Sequence, residues 1–191
     1  MTFLKDLGWS FILGATLVSQ SPVAAQESVD NSGLQMNLVQ THSKPAHPTF
    51  QVELRNTGDH DFMLNLGMML ANGKKQYPDA IRLSLTDTSG SVLLLELIGP
   101  GFIAGRVDPL IVPLPRGATF SLPVDMSDYS SPKANVWKLN LTPGQYILSA
   151  NYTGKAVPAT DANLDMKGVA LLPIWTGNIH SANLTFTVPD K

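Results

Sequence analysis

The sequence predicts an all-β protein of antiparallel strands stacked in two sheets, with a long insertion, Gly154–Asn178, before the last strand. Three observations carry this. Apolar and polar residues alternate with period two in segment after segment. Clusters of Gly, Pro, Asn and Asp punctuate those segments. No stretch sustains the 3.6-residue period of an amphipathic helix.

The segments follow one another along the chain. Leu34, Met36 and Leu38 share a face opposite Gln35 and Asn37. Phe50, Val52 and Leu54 oppose Gln51, Glu53 and Arg55. Phe62, Leu64 and Leu66 repeat the pattern, and so do Ile81, Leu83 and Leu85 against Arg82, Ser84 and Thr86. Phe120, Leu122 and Val124 come next, then Trp137, Leu139 and Leu141 against Lys138 and Asn140. Tyr146, Leu148, Ala150 and Tyr152 oppose Ser149 and Asn151, and Leu184, Phe186 and Val188 close the chain. Each such strand buries one face and wets the other, as in antiparallel sheets that cover a core on one side. Turns are expected at Asn56–Asp59, Asn72-Gly73, Ser89-Gly90, Pro115–Gly117 and Pro143-Gly144.

Val92–Ile98 departs from the rule, being apolar on both faces except at Glu96. Such a strand is expected to be covered on both sides. The chain's own Gly99–Pro109 or Gly154–Asn178 would supply the cover, and the sharper alternative is a partner-binding edge. Trp175, within Leu171–Trp175, is expected to pack on Val92–Ile98 as part of a lid, or else to stand on the surface as an anchor. Asp161–Lys167 is the best candidate for a single helical turn.

Composition narrows the function classes. Only 15% of the 191 residues are charged, and the formal net charge is −2. No basic field is present to hold a phosphate backbone, which argues against nucleic acid as a partner. Cysteine is absent, which removes disulfides, thiolate metal sites and Cys nucleophiles.

Residues 1–25 read as a secretory signal. Trp9–Val18 is an apolar core, too short to span a bilayer, which takes about 20 residues. Val23-Ala24-Ala25 fits the small-x-small cleavage pattern. Residues 26–33 form a polar lead-in, and 34–189 form one domain. The expected location is periplasmic or extracellular, with no membrane span in the mature chain.

The stretch Leu141-Thr-Pro-Gly-Gln-Tyr146-Ile-Leu-Ser-Ala-Asn-Tyr152 resembles the E–F corner of immunoglobulin-like and fibronectin type III sandwiches. Leu114–Gly117 followed by Phe120–Asp125, and Trp175–Gly177 followed by Ser181–Val188, are similar to strand pairs of exported bacterial modules of that kind. The resemblance implies a sandwich whose structural corner is Pro143, Gly144 and Tyr146, with the Tyr146 hydroxyl bonded back to nearby backbone. It implies no activity, because such sandwiches host many roles.

Candidate chemistry is sparse. His42, His47 and His60, with abundant Met, are candidate copper ligands, since imidazole and thioether suit Cu(I). Set against that, the His residues fall in loops and Met36 falls on a core face. No Gly-x-Ser-x-Gly or His-Glu-x-x-His pattern occurs, and no Gly-rich loop introduces a helix. No enzyme activity and no cofactor are therefore expected. Asn140, Asn151 and Asn183 head Asn-x-Thr triplets, read here as unmodified.

The expectation is an exported, non-enzymatic module that binds a protein or a cell-envelope component, with Trp175, Leu94 and Ile98 as candidate contacts. Two alternatives stand beside it: a proteinase inhibitor presenting the long insertion as a loop, and a periplasmic copper-binding protein. N-terminal sequencing of the exported protein should begin at Gln26. A chain that retains Met1 after export would rule out the cleavage.

Overall fold

The computed structural model describes residues 33–44, 47–101, 104–156 and 172–190. Among these every regular element is a strand or a single turn of 3-10 helix. The strands are β1 (Leu34–Lys44), β2 (His47–Asn56), β3 (Phe62–Leu70), β4 (Lys75–Tyr77), β5 (Ile81–Thr86) and β6 (Val92–Leu97). They continue with β7 (Asp108–Leu114), β8 (Thr119–Asp125), β9 (Tyr129–Ser130), β10 (Gly144–Gly154), β11 (Gly177–His180) and β12 (Leu184–Val188).

All pairings between named strands are antiparallel. They form three sheets: β1-β2-β8, β4-β3-β7, and a larger one ordered β11-β10-β5-β6-β9. β12 joins the larger sheet beside β10, pairing with Gly144–Leu148, while β11 pairs with Asn151–Gly154. Ser181 bridges the gap between β11 and β12. Its backbone N–H donates to the Ala150 carbonyl at 2.9 Å, and its hydroxyl accepts from the Ala150 N–H at 2.8 Å.

The alternation read from the sequence is the alternation that makes the core. Leu34, Met36, Leu38, Val52, Leu54, Leu64, Leu66, Ile81, Leu148 and Tyr152 are all fully buried, in one cluster fed by all three sheets. Across the core, the Phe50 ring of β2 meets Phe186 of β12 edge-on at 5.0 Å, and Tyr146 stacks on Phe186 at 5.4 Å. Such aromatic contacts combine large area burial with a preferred geometry.

Asn56 is buried at the corner where β2 leads into β3 and β7 leads into β8. Its amide donates to the carbonyls of His60 and Leu114, both at 2.9 Å, and its side-chain oxygen accepts from the Gly58 N–H at 2.9 Å. Its backbone joins in, accepting from Gly117 at 2.9 Å and donating to Ala118 at 3.0 Å. The expected turn Asn56–Asp59 is thus also a clamp on the Pro115–Gly117 turn.

Three strands carry prolines. Pro48 lies in β2, just before the pairing with β8 begins at Thr49. Pro109 and Pro113 lie in β7, and Pro123 lies in β8. These last two strands are sheet edges, where a missing N–H need not break a ladder.

One expected strand is absent. Residues 137–143 are irregular, and Trp137 is 69% exposed instead of buried. The cause lies just upstream. A 3-10 turn, Pro132–Ala134, is ended by Asn135 in the left-handed conformation at φ 57°, and Ser131 and Val136 then pair with each other. The chain closes on itself before Trp137, so the Trp137-x-Leu139-x-Leu141 spacing has no ladder to enter, although Leu139 and Leu141 still pack partly against the core. The expected helical turn Asp161–Lys167 lies outside the described residues, as does most of the insertion.

Asn56→Ala removes the partner of the buried Leu114 carbonyl and of the part-buried His60 carbonyl and Gly58 N–H. It should lower the unfolding free energy by about 3 kcal/mol. Urea denaturation checks this, with a shifted midpoint and an unchanged slope. A loss within error would mean the corner holds without its side chain.

Candidate functional site

The outward face of the six-stranded sheet gathers the polar side chains that strand alternation leaves over. The register sets the neighbours. Ser84 stands opposite Leu94, Arg82 opposite Asn151, and Asn151 opposite His180. Glu96 closes the row on β6, with its carboxylate 3.8 Å from the Arg82 guanidinium. A row Glu96–Arg82–Asn151–His180 therefore crosses four strands.

Each member is held differently. The Asn151 amide donates to the Asn178 side-chain oxygen at 2.7 Å and lies 3.0 Å from His180 Nδ1. The Thr153 hydroxyl donates to the Asn151 and Asn178 side-chain oxygens at 3.3 and 3.2 Å. Arg82 is only loosely tied. At 3.8 Å its pair with Glu96 is too long for a hydrogen bond, and the Arg82 side chain is 61% exposed. Ion pairs of that kind add little to stability. Most of the guanidinium donors therefore remain available.

Two concavities flank the row and share Arg82 and Asn151. One, of about 380 Å3, runs over Ser84 and Ser149 towards Leu94 and Lys133. Lys133 is brought there by the 3-10 turn, which is pinned to β6 where the Ser131 hydroxyl donates to the Leu94 carbonyl at 2.8 Å. The other, of about 430 Å3, runs over Thr153 to Asn65, Asp79 and Lys155. Burial in it raises the Asp79 carboxyl above its ordinary range, against the pull of its own backbone N–H, Lys155 and Arg82.

This second concavity depends on a junction between β3 and β10. The buried Tyr152 hydroxyl donates to the Asn65 carbonyl at 3.1 Å. Thr153 N–H donates to Ala80, and Ala80 N–H donates to Leu66. β3 bulges between Asn65 and Gly67. Gly67 has φ 139°, and a Cβ there would collide with the Tyr77 carbonyl and the Asp79 carboxylate.

Trp175 completes the junction from the inside. It is 8% exposed, and its ring stacks on Tyr152 at 5.5 Å. Its backbone N–H donates to the Met63 carbonyl at 2.9 Å, and the indole lies against Gly154 and Gly177. It is neither a surface anchor nor a lid on β6, because the two glycines open a slot for it beside β10. The outer face of β6 is exposed in turn, with Val92 60%, Leu94 52% and Ile98 44% accessible. The cover expected for that face does not come from Trp175.

The other residues singled out by sequence are scattered. Tyr146 donates to the Thr142 carbonyl at 2.9 Å and accepts from the Thr142 N–H at 3.1 Å, at the end of the core away from Trp175. Pro143 leads into the turn there, and Gly144 sits at φ 146° with no room for a Cβ beside Thr88. His60 is exposed and bonded to Asp59 at 2.6 Å, which holds the Asp59 carboxyl below its ordinary range. The side chains of His42 and His47 lie outside the described residues. Among the described residues no cluster of His, Cys, Asp or Glu is grouped to hold a metal. Asn140 and Asn183 are exposed, whereas the Asn151 nitrogen is committed to Asn178 and His180.

Sequence reasoning placed Arg82, Ser149 and Asn151 on a wetted face but did not join them. The signal was the alternation itself. The register that aligns them is not contained in it. No family model matches the chain, and no curated protein matches it. No helix long and apolar enough to cross a membrane occurs among the described residues.

β9 and β10, which border and build this face, each carry a buried tyrosine. Burial, aided by Asp128 and Tyr77, pushes the Tyr129 hydroxyl up to about 12. Burial raises Tyr152 as well, with the hydrogen bond to Asn65 opposing it. In the unfolded chain both revert to the ordinary value near 10. Their contribution is full below pH 10 and is lost as pH climbs through about 12, because the unfolded state then sheds protons first. Denaturation midpoints should fall steeply between pH 10 and 12, and less steeply in Tyr129→Phe. A midpoint flat across that window would contradict the burial.

Proposed function

We propose that this chain is an exported, non-enzymatic binding module of the immunoglobulin-like kind. It engages a protein or a cell-envelope component through the outer face of its six-stranded sheet. The observation that carries the reading is the exposed apolar rim Val92, Leu94 and Ile98 beside the polar row around Arg82. Clustered exposed apolar side chains rimmed by polar ones mark interaction surfaces.

The architectural part rests on three supports. Tyr146 bonds back to residue 142 in the manner of a tyrosine corner. β1-β2-β8 faces the larger sheet through Phe50 and Phe186. β4-β3-β7 follows β1-β2-β8 through the Asn56 corner, so the two smaller sheets act as halves of one opposing layer. Export rests on residues 1–25.

Contact falls to Leu94 and Ile98, since the Trp175 ring is consumed by packing. A benzophenone side chain placed at position 94 or 98 should yield a mass-shifted adduct in the exporting cells. Placed at Ser121, exposed on β8 of another sheet, it should not. Added wild-type protein should compete the adduct away, and added Leu94→Asp protein should not. Equal adducts at all three positions, or none at 94 and 98, would overturn this placement.

A further inference from the structure

We propose that the paired concavities on this face bind an acidic oligosaccharide, a polyhydroxylated chain carrying spaced carboxylates, laid from Lys133 past Arg82 to Lys155. The inference rests on the binding-module reading and names its ligand class.

The floor of the site decides between a peptide and a sugar chain. Peptides that add to sheets do so at edges, where backbone N–H and C=O groups are open. Here the centre of the floor is β5 and β10, both interior strands paired on either side, with residues of β3 and β6 along its margins. It offers no backbone bonds to an extended peptide. It offers side-chain hydroxyls from Ser84, Ser149 and Thr153, the Asn151 amide and the Arg82 guanidinium. Those groups match a ligand that presents hydroxyls along its whole perimeter.

Charge sets the second property. Lys133 and Lys155 stand at the two ends, without an ion-pair partner among the described residues, and Arg82 stands between them where the concavities meet. Glu96 and Asp79 alternate with these cations. A dense polyanion would meet both carboxylates and be repelled. A chain with occasional carboxylates can place them on the cations and turn hydroxyls to Glu96 and Asp79. Arginine suits the central position, because its planar fork matches a carboxylate in a bidentate manner.

The experiment is affinity electrophoresis and calorimetry of the full exported protein. The probes are polyuronate oligomers in which each uronic acid alternates with a neutral sugar, neutral cello-oligomers, poly-glutamate and dextran sulfate. Polyuronate should bind, with affinity falling as salt is raised. Arg82→Gln should weaken it about tenfold, and Lys133→Gln and Lys155→Gln by smaller factors. The neutral chain should bind more weakly than polyuronate, and poly-glutamate and dextran sulfate should not compete. All three substitutions are at exposed positions, and unchanged circular dichroism verifies the fold. No polyuronate binding at millimolar concentration, equal binding of poly-glutamate or dextran sulfate, or unaltered binding by Arg82→Gln overturns the proposal. If polyuronate fails while the adducts at positions 94 and 98 persist, the glycan assignment falls and the binding-module reading stands. If both fail, both fall.

Discussion

Asn56 ties together two passages of the chain at the crossover between the β2–β8 ladder and the β3–β7 ladder. β2 must leave its sheet to become β3, and β7 must leave β3 to become β8, and both departures occur around this one buried amide. Backbone groups at such a crossover lose their ladder partners. Buried groups left unpaired cost about 1–3 kcal/mol each. Asn supplies two donors and an acceptor from one small side chain, which is what the corner requires. An aspartate would turn a second oxygen towards the His60 and Leu114 carbonyls. The neighbouring turn extends the clamp to the start of the domain, because Thr57 and Gly58 both donate to the Gly33 carbonyl.

A second junction, at the opposite end of the core from Tyr146, connects this frame to the outer face. Tyr152, Trp175 and the bulge at Asn65–Gly67 join β3 to β10. The polar row on the far side of β10 is therefore backed by a packed aromatic stack and not by a loop. A groove floor of this kind keeps its side chains in register without help from a ligand, and pre-arranged donors cost a ligand less ordering entropy than mobile ones. The two glycines beside Trp175 belong to the same device. A methyl group at Gly154 or Gly177 would occupy space the indole fills.

Much of the frame was legible in the sequence, for a local reason. Whether Leu83 points inward and Arg82 outward follows from neighbours along one strand. Seven of the eight alternating segments name strands the chain forms. The eighth, at Trp137, failed because three alternating apolar residues carry no information about an available ladder. Ser131 and Val136 had already closed the chain against itself. β7 was missed for a complementary reason. Pro109 and Pro113 lower its strand signal, and its edge position, which makes them tolerable, depends on pairing with β3. The face around Arg82 was legible only in parts. Arg82, Asn151 and His180 are separated widely in sequence and become neighbours through two registers that no single segment encodes.

β6 shows why apolarity on both sides of a strand is ambiguous. Leu95 is buried and Leu94 is half-exposed, so the inward face obeys the core and the outward face obeys something else. A packing explanation requires a covering segment, and Trp175, the large apolar residue best suited to provide one, lies across β10 instead. What remains outward is a strip of Val92, Leu94 and Ile98 that borders a groove with cations at its centre and ends. Apolar rim and polar floor are complementary in recognition. On the proposed reading, the rim would exclude water from one flank of a bound chain, and exclusion of water strengthens each hydrogen bond made to the floor. Leu94, which lines the groove, would then have a role that needs no lid, and Val92 and Ile98 extend the same apolar strip beyond it.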